Sequence, residues 1–367
     1  MPLPARERAF ITTIPESFAL NILHLIAGKF NKSSVEHRKN AVTIKDIAQQ
    51  LKMAPSTVSR ALRGSRDINP ATRLLVQQVA EELRYTPNPI ALSLKEKRSK
   101  IIGVIVPEIA NNFCAATIGG IEDYAYRKGY HVVIFQSHEE YEREVQNVRL
   151  LTLRRIDGLI ISLANNTRQF GHLEGLPAPV VMFDRVHDGI AGPRVVVDDC
   201  AGAFNGVTHL LSQGCRNIAI LSMAPWLSTS QKRLQGYRDA LAAHGIPVNE
   251  DLIVQSCETE QAIQQLFDGT VRPDALFFSM ERLALMSLRV LKRLGLRIPE
   301  DVAVAGFSDN PASDLFSPAL TTIRQPTFEI GQRAAELLID QIEGTAVGAE
   351  TVQLSTILDI RSSSLKK

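Results

Sequence analysis

Apolar residues recur along this chain in two rhythms, and the change between them near residue 100 divides it. Between Val42 and Leu83 the spacing is helical. Ile44, Ile47, Ala48 and Leu51 fall on one face, and after a short polar break Val58, Ala61 and Leu62 fall on another. Thr43 with Asp46 three residues later makes a capping-box-like start for the first helix, and Pro55 suits the first turn of the second. A third helix is announced by Asn69 as N-cap, Pro70 at the first helical position and the apolar series Leu74, Leu75, Val76, Val79, Ala80, Leu83; it ends before Pro87. Three helices of this kind bury their apolar faces against one another and leave the start of the second exposed.

From residue 99 the rhythm becomes that of strands alternating with helices. IIGVIVP, a helix near Phe113 to Lys128, HVVIFQS, a helix near Glu139 to Arg155 and DGLIISL follow in turn, the pattern of a parallel sheet covered on both faces. After PVVMFD and RVVVDD the rhythm restarts with NIAILSM, LIVQSC, DALFFS and VAVAGFSD. The expected fold class is α/β: a two-lobed domain of two parallel sheets flanked by helices, with a small all-α head before it. The expected boundaries are a head at 41–87, a linker at 88–98, a first lobe at about 101–186 and 325–347, and a second at about 187–324 and 348–364. A ligand crevice is expected between the lobes at the carboxyl ends of their strands. In residues 1–40, Phe18 to Ile26 has helical spacing, but Asn21 and His24 interrupt it, Glu16 precedes it and no small-residue cleavage site follows. That argues against a secretory signal and for either a disordered extension or upstream sequence read from a mis-assigned start.

Composition sharpens this division. At 367 residues and 45% hydrophobic, the chain holds more than one folded unit. Cys114, Cys200, Cys215 and Cys257 are widely spaced with no CxxC pair, which suggests neither a disulfide framework nor a zinc site and points to a reducing cytoplasm. No run approaches the roughly 20 apolar residues that span a bilayer, so no membrane partner is expected. The net charge of +2 is unevenly spread: residues 41–100 carry eleven basic and five acidic side chains, a local +6. A short basic head on a mildly acidic body fits a nucleic-acid-binding module. Ser56, Thr57, Ser59, Arg60 and Arg63 occupy the exposed start and flank of the second helix, where they either meet phosphates and base edges or are ordinary solvated positions. The glycine-rich nucleotide fingerprints and the GxSxG elbow are absent, and histidines such as His131, His138 and His244 are scattered, so neither an enzyme nor a cofactor is expected.

TIKDIA, STVSRAL and LRYTPNPIALSL, in register over residues 43–94, resemble the head of the LacI/GalR family of repressors. The resemblance implies that the helix from Pro55 to Arg63 reads the major groove of double-stranded DNA, with Pro55, Ser56 and Arg60 at base-contacting positions and Thr43, Thr57, Ser59 and Arg63 beside them. It also implies a hinge helix bearing Asn88 and Ala91, from which Leu94 enters the minor groove as an apolar wedge. The chain departs from the family's pattern at Lys52, where Gly is usual in the turn, and at Ala54, where a capping Ser is usual.

The body shares the resemblance through PEIANNF, FDRV, VVVDD, KRLQGY, RPDALFF, RIPEDVAVAGFSD and LTTIRQP, so coverage is nearly continuous from Thr43 to Ser362. It implies the periplasmic sugar-binding-protein fold used as a sensor, with Asn111, Asn112, Phe113, Asp184, Arg185 and Arg233 as effector-contacting candidates. Asp184 is either a ligand acceptor or a structural one at the lobe junction, and Phe113 either a ring platform or core. Met280 with Glu281 replaces the usual Asn-Asp, and Ser308 precedes Asp309 where the family has an effector-contacting Asp, so the ligand is a sugar or a sugar derivative of altered hydroxyl pattern. Arg233 suits a phosphorylated or acidic one. The implied function is a cytoplasmic repressor, a homodimer or tetramer on a near-palindromic operator, controlled by that effector. The body alone would also suit a sugar-transport protein, which the head argues against.

Overall fold

The computed structural model describes residues 42–86, 98–256, 260–345, 348 and 350–366. It separates into two units, a head and a larger sensor. Residues 1–40 and the segment carrying Asn88, Ala91 and Leu94 lie outside the described residues.

In the head, α1 (Ile44–Gln50), α2 (Pro55–Leu62) and α3 (Pro70–Glu82) follow the expected spacing. Ile47, Ala48, Val58, Ala61, Ile68, Val76, Val79 and Ala80 form its core. The Thr43 backbone N–H and hydroxyl both donate to the Asp46 carboxylate, at 2.7 and 2.8 Å, and these bonds hold that carboxyl below its ordinary range. At α3 the Asn69 side chain accepts from the Ala71 N–H at 2.9 Å, and Pro70 occupies the first turn. The α3 series corrects one expectation: Leu74 and Leu75 are 61% and 43% exposed. Six apolar residues in ten positions wrap beyond one face, and only the stripe Val76, Val79, Ala80 and Leu83 meets the other helices.

The sensor holds two six-stranded sheets of matching design. In the first lobe, β1 (Ile101–Val106), β2 (His131–Gln136), β3 (Gly158–Ile161), β4 (Val180–Phe183) and β5 (Arg194–Val197) alternate with α4 (Asn112–Arg127) and α5 (Tyr141–Leu153). The second begins with α6 (Asp199–Ser212) and continues through β6 (Ile218–Leu221), α7 (Ser228–Ala243), β7 (Ile253–Val254), α8 (Glu260–Asp268), β8 (Ala275–Phe278), α9 (Glu281–Arg293), β9 (Ala303–Phe307) and β10 (Thr321–Arg324). The chain then returns through α10 (Thr327–Glu343) and β11 (Thr351–Leu354) and closes with β12 (Ile357–Asp359). The sheet orders are β11-β5-β4-β3-β1-β2 and β12-β10-β9-β8-β6-β7, one topology used twice. Pairing is parallel except for β12 against β10.

Two boundaries differ from the sequence expectation. Residues 194–197 and 351–354, assigned there to the second lobe, pair with each other in the first sheet. RVVVDD carries both a strand and the crossover, so the lobe changes after Val197 rather than at 187. The strands β11 and β12 escape the sequence reading because VQLSTILDI is short and half-exposed, without the continuous apolar run of the central strands. The chain thus crosses between lobes three times, at Asp198, at Gln325-Pro326 and at Ser355-Thr356.

Central strands read as apolar runs because helices cover both sheet faces: β3, β4, β6 and β8 are buried at every position. Edge strand β2 leaves Val133 and Ile134 more than a third exposed. Helices α4 and α10 pack so closely that a Cβ on Gly331 would lie 2.0 Å from the Thr117 carbonyl oxygen, and one on Gly120 2.0 Å from that of Phe328. Replacing Gly331 with Ala therefore forces the helices apart and should destabilise the sensor by about 1–3 kcal/mol, read as a lower midpoint in urea unfolding; an unchanged midpoint would contradict this packing.

Candidate functional site

The head presents the start of α2 outward. Val58 and Ala61 are buried, which turns Pro55, Ser56 and Arg60 to solvent and leaves Thr57 and Ser59 half-buried. Arg60 and Arg63 fold their Nε groups onto the Ser56 and Ser59 carbonyls at 3.4 and 3.0 Å, so each guanidinium lies along the helix with its terminal nitrogens outward. Among the described residues of the head no cation is paired with a carboxylate. Lys45, Lys52, Arg60, Arg63 and Arg66 thus have no neighbouring carboxylate to offset them among the described residues. The predicted contact Thr43 is exposed, but its hydroxyl proton is committed to Asp46. Both departures have structural consequences. Lys52 adopts φ +50°, where a Gly carries no Cβ penalty, and Ala54 starts α2 with no side-chain cap.

In the sensor, a cavity of about 250 Å³ opens between the lobes at the carboxyl ends of the strands. It is lined by the segments that follow β1 (Asn111 and, in the first turn of α4, Phe113), β4 (Asp184, Arg185), β8 (Met280 and, at the start of α9, Glu281) and β9 (Ser308, Asp309), with Arg233 from α7 and Gln325 from the crossover. Eight of the nine effector candidates line it; Asn112 does not, and instead donates across the cleft to Glu281 Oε1 at 2.7 Å. Asn111 also caps α4 by accepting from the Phe113 N–H at 2.8 Å. Phe113 stacks on Phe183 at 6.4 Å between centroids, so its ring is at once core and cavity wall.

The charges of the cleft divide into tied and available groups. Arg185 donates to both Glu139 oxygens, at 2.6 and 3.1 Å, and to the Leu163 carbonyl at 3.2 Å. Burial works to raise Glu139, but the Arg185 charge and hydrogen bonds and the Asn165 N–H prevail and hold it below its ordinary range. Arg233 donates to Asp199 at 2.7 Å, to the Ser279 carbonyl and to Gln325 Oε1 at 3.2 Å, while its guanidinium lies 3.7 Å from the Phe307 ring centroid. Gln325 in turn donates through its backbone and side-chain N–H groups to Asp309, both at 2.7 Å. The Arg233 charge is thus compensated inside the protein, and the expected preference for an acidic or phosphorylated ligand loses its basis.

Asp184 is the available carboxylate. It takes φ +58° at the end of β4, a strained conformation for this residue, and meets only Arg185, at 3.9 Å. Burial raises its pKa to about 6, more than Arg185 and Arg233 lower it. Burial likewise raises Asp309 to about 6, against the two Gln325 hydrogen bonds. Ser308 is buried and its hydroxyl oxygen accepts from the Asn310 N–H at 3.3 Å.

Several participants escaped the sequence reading. Asp199 follows a strand within RVVVDD and Gln325 is the second-last residue of LTTIRQP, so position relative to a crossover was their signal. Glu281 was noted only as half of the altered dipeptide with Met280, and its reach to Asn112 of the other lobe gave no sequence signal. Glu139 gives no local signal, because it reaches Arg185 across 46 positions of sequence. Trp226, the single tryptophan, donates to the Asn165 carbonyl of the other lobe at 2.7 Å beneath the Arg168 guanidinium.

Two family models match this chain: the lacI family of bacterial regulatory proteins over residues 43–88, and a periplasmic binding protein-like domain over 207–364. The chain is 34% identical over 332 residues to the transcriptional repressor CytR of Escherichia coli K12, covering 89% of this chain and 97% of that protein. Among solved structures it is similar to the lac repressor dimer bound to operator and the anti-inducer ONPF, with TM-score 0.78 and 25% identity over 89% of this chain and all of that one. It is also similar to the regulator CelR in complex with cellobiose, with TM-score 0.67 and 28% identity over 88% of this chain and 99% of that one.

The raised Asp184 pKa has a definite sign. Above about 6 the folded protein must hold a buried charge, which opposes folding; the penalty fades as pH falls through about 6 and is gone below the unfolded value of 3.8. Asp184→Asn should therefore stabilise the ligand-free protein at about pH 7.5 by up to about 3 kcal/mol, with little gain near about pH 4. Thermal unfolding at the two pH values checks this, and an equal gain at both would contradict it.

Proposed function

Because the chain belongs to the LacI family of bacterial transcriptional regulators, we propose that it represses transcription by binding a near-palindromic operator through α2 and the segment beyond Pro87, under control of a small polar effector held between the lobes. The observation that carries this reading is the pairing of the two sites in one chain: a head whose cations, among the described residues, have no carboxylate partners, and a cleft whose Asp184 carboxylate accepts no hydrogen bond from the described residues. A neutral sugar or sugar derivative supplies hydroxyl donors for that carboxylate and an apolar face for Phe113. A cavity near 250 Å³ suits a compact ligand. The assembly is a homodimer in the cytoplasm, in which the exposed Ile109, Val133 and Ile134 offer apolar surface to the second copy.

The roles divide among named residues. Pro55, Ser56 and Arg60 face base edges, while Thr57, Ser59 and Arg63 position the helix on phosphates and Thr43, its donors held by Asp46, fixes the start of α1. Asn88 and Ala91 continue the interface and Leu94 acts as the minor-groove wedge. In the cleft, Asp184 and Asn111 orient the ligand, Phe113 and Met280 bound its apolar side, and Arg185, Arg233, Ser308 and Asp309 shape the polar wall. A ligand that changes the lobe arrangement alters DNA affinity only through its differential affinity for the two arrangements.

Selection from a random duplex library with the full chain should return one near-palindromic site. Its affinity should fall about a thousandfold or more between about 50 and about 200 mM salt, as for proteins that neutralise about six or more phosphates; binding without site preference or salt dependence would overturn the reading. Arg60→Ala should relax base preference at one symmetric position per half-site by about 1–3 kcal/mol, measured by competition with single-base operator variants, and uniform weakening across all variants would instead assign Arg60 to phosphate.

A further inference from the structure

Glu281 does two things that no neighbouring residue duplicates. It is the first residue of α9, in the second lobe, and its Oε1 accepts from Asn112 Nδ2 of the first lobe at 2.7 Å and from Asn310 Nδ2 at 3.1 Å. Glu281 lines the cavity, and its Oε2 is buried with no hydrogen-bond partner among the described residues. A buried carboxylate oxygen without a donor is costly, and the cost is relieved when a donor enters the cleft. Other interlobe contacts, Trp226 to Asn165 and the Val186 N–H to Ser228 Oγ at 3.1 Å, involve neither α4 nor α9. The Asn112–Glu281 bond therefore closes the side that those contacts leave open.

The geometry points to Glu281 as a latch with two faces: Oε1 holds the lobes together through Asn112, while Oε2 takes a hydrogen bond from the ligand, so that the cleft closes on neutral or cationic donors and rejects anions. This rests on the ligand-binding reading of the cleft and adds the residue that reads the ligand's donor and the class it admits. Two arguments exclude an anion. Asp184 and Glu281 both line the cavity with carboxylate oxygen that accepts no hydrogen bond among the described residues, and the buried cations Arg185 and Arg233 are already paired with Glu139 and Asp199. A ligand phosphate would meet two acceptors and displace internal partners to reach a guanidinium. An amine or hydroxyl meets both acceptors directly.

Two substitutions in the full chain separate the faces. Asn112→Ala removes the interlobe donor and leaves Oε2 in place, whereas Glu281→Gln keeps an acceptor for Asn112 but can turn an amide N–H₂ to the cavity. Ligand-free closure is read without DNA by small-angle scattering and by acrylamide quenching of Trp226, the sole tryptophan. Asn112→Ala should shift the open-to-closed ratio at least roughly tenfold, the effect of losing a hydrogen bond to a charged group, while Glu281→Gln stays near wild type. Matched probes, glucose, glucosamine and glucose 6-phosphate with ribose and ribose 5-phosphate, are then titrated by calorimetry. Among those that bind, neutral or amino members should bind at least tenfold more tightly than their phosphates, and Glu281→Gln should narrow or reverse that order. The latch is overturned if Asn112→Ala is as closed as wild type, and the selectivity if a phosphate is the tighter member of its pair. Because closure is measured without DNA, failure of operator binding would be seen separately and would leave the latch result standing.

Discussion

The sensor depends on one buried charge, the guanidinium of Arg233. Asp199 lies just after the first crossover between lobes, Gln325 at the second, and both bond to this side chain. The third crossover is tied to the first by the Thr356 N–H donating to Asp198 at 2.7 Å. A charge this deep is tolerated only with several partners, and its partners are the residues through which the chain passes from lobe to lobe. Truncating it would leave Asp199 buried and unpaired, so the same residue that lines the cavity also holds together the crossover segments that form the axis between the lobes.

Around that axis the cleft is built from imperfectly satisfied carboxylates. Asp184 stands in a strained backbone conformation with its pKa raised to about 6, and Glu281 keeps one oxygen buried without a partner. Both features cost folding free energy, and both are relieved by a ligand that donates hydrogen bonds. Sites under such strain bind by completing a network the fold leaves open. The tied pairs Arg185–Glu139 and Arg233–Asp199 do the opposite: they are complete without a ligand and keep the cavity's shape.

Much of this was legible in the sequence where local chemistry decides structure. The helices of the head and the Asn69 and Pro70 start of α3 follow from residues within a few positions of one another. So do the central strands, whose runs of apolar residues report burial on both faces. The turn at Lys52 and the uncapped Ala54 were marked by the family resemblance. What was not legible depends on tertiary placement: Leu74 and Leu75 are apolar yet exposed, β11 and β12 are strands without an apolar run, and the reach of Glu139 to Arg185 spans 46 positions of sequence. Arg233 shows the limit most clearly. Its type suggested an anionic ligand, and only the positions of Asp199, Gln325 and the Ser279 carbonyl reveal that its charge is already used.

The head and the sensor meet their tasks by different physics, long-range charge in one and short-range hydrogen bonding in the other, and regulation requires that occupancy of the cleft alter affinity at the operator. The direct measurement is a single titration of the operator-bound full chain with a cleft ligand, following Trp226 fluorescence and the anisotropy of labelled DNA together. The account predicts that both signals change with the same ligand midpoint and that Asp184→Asn moves both by the same factor. Saturation of the tryptophan signal with no change in operator affinity would contradict it.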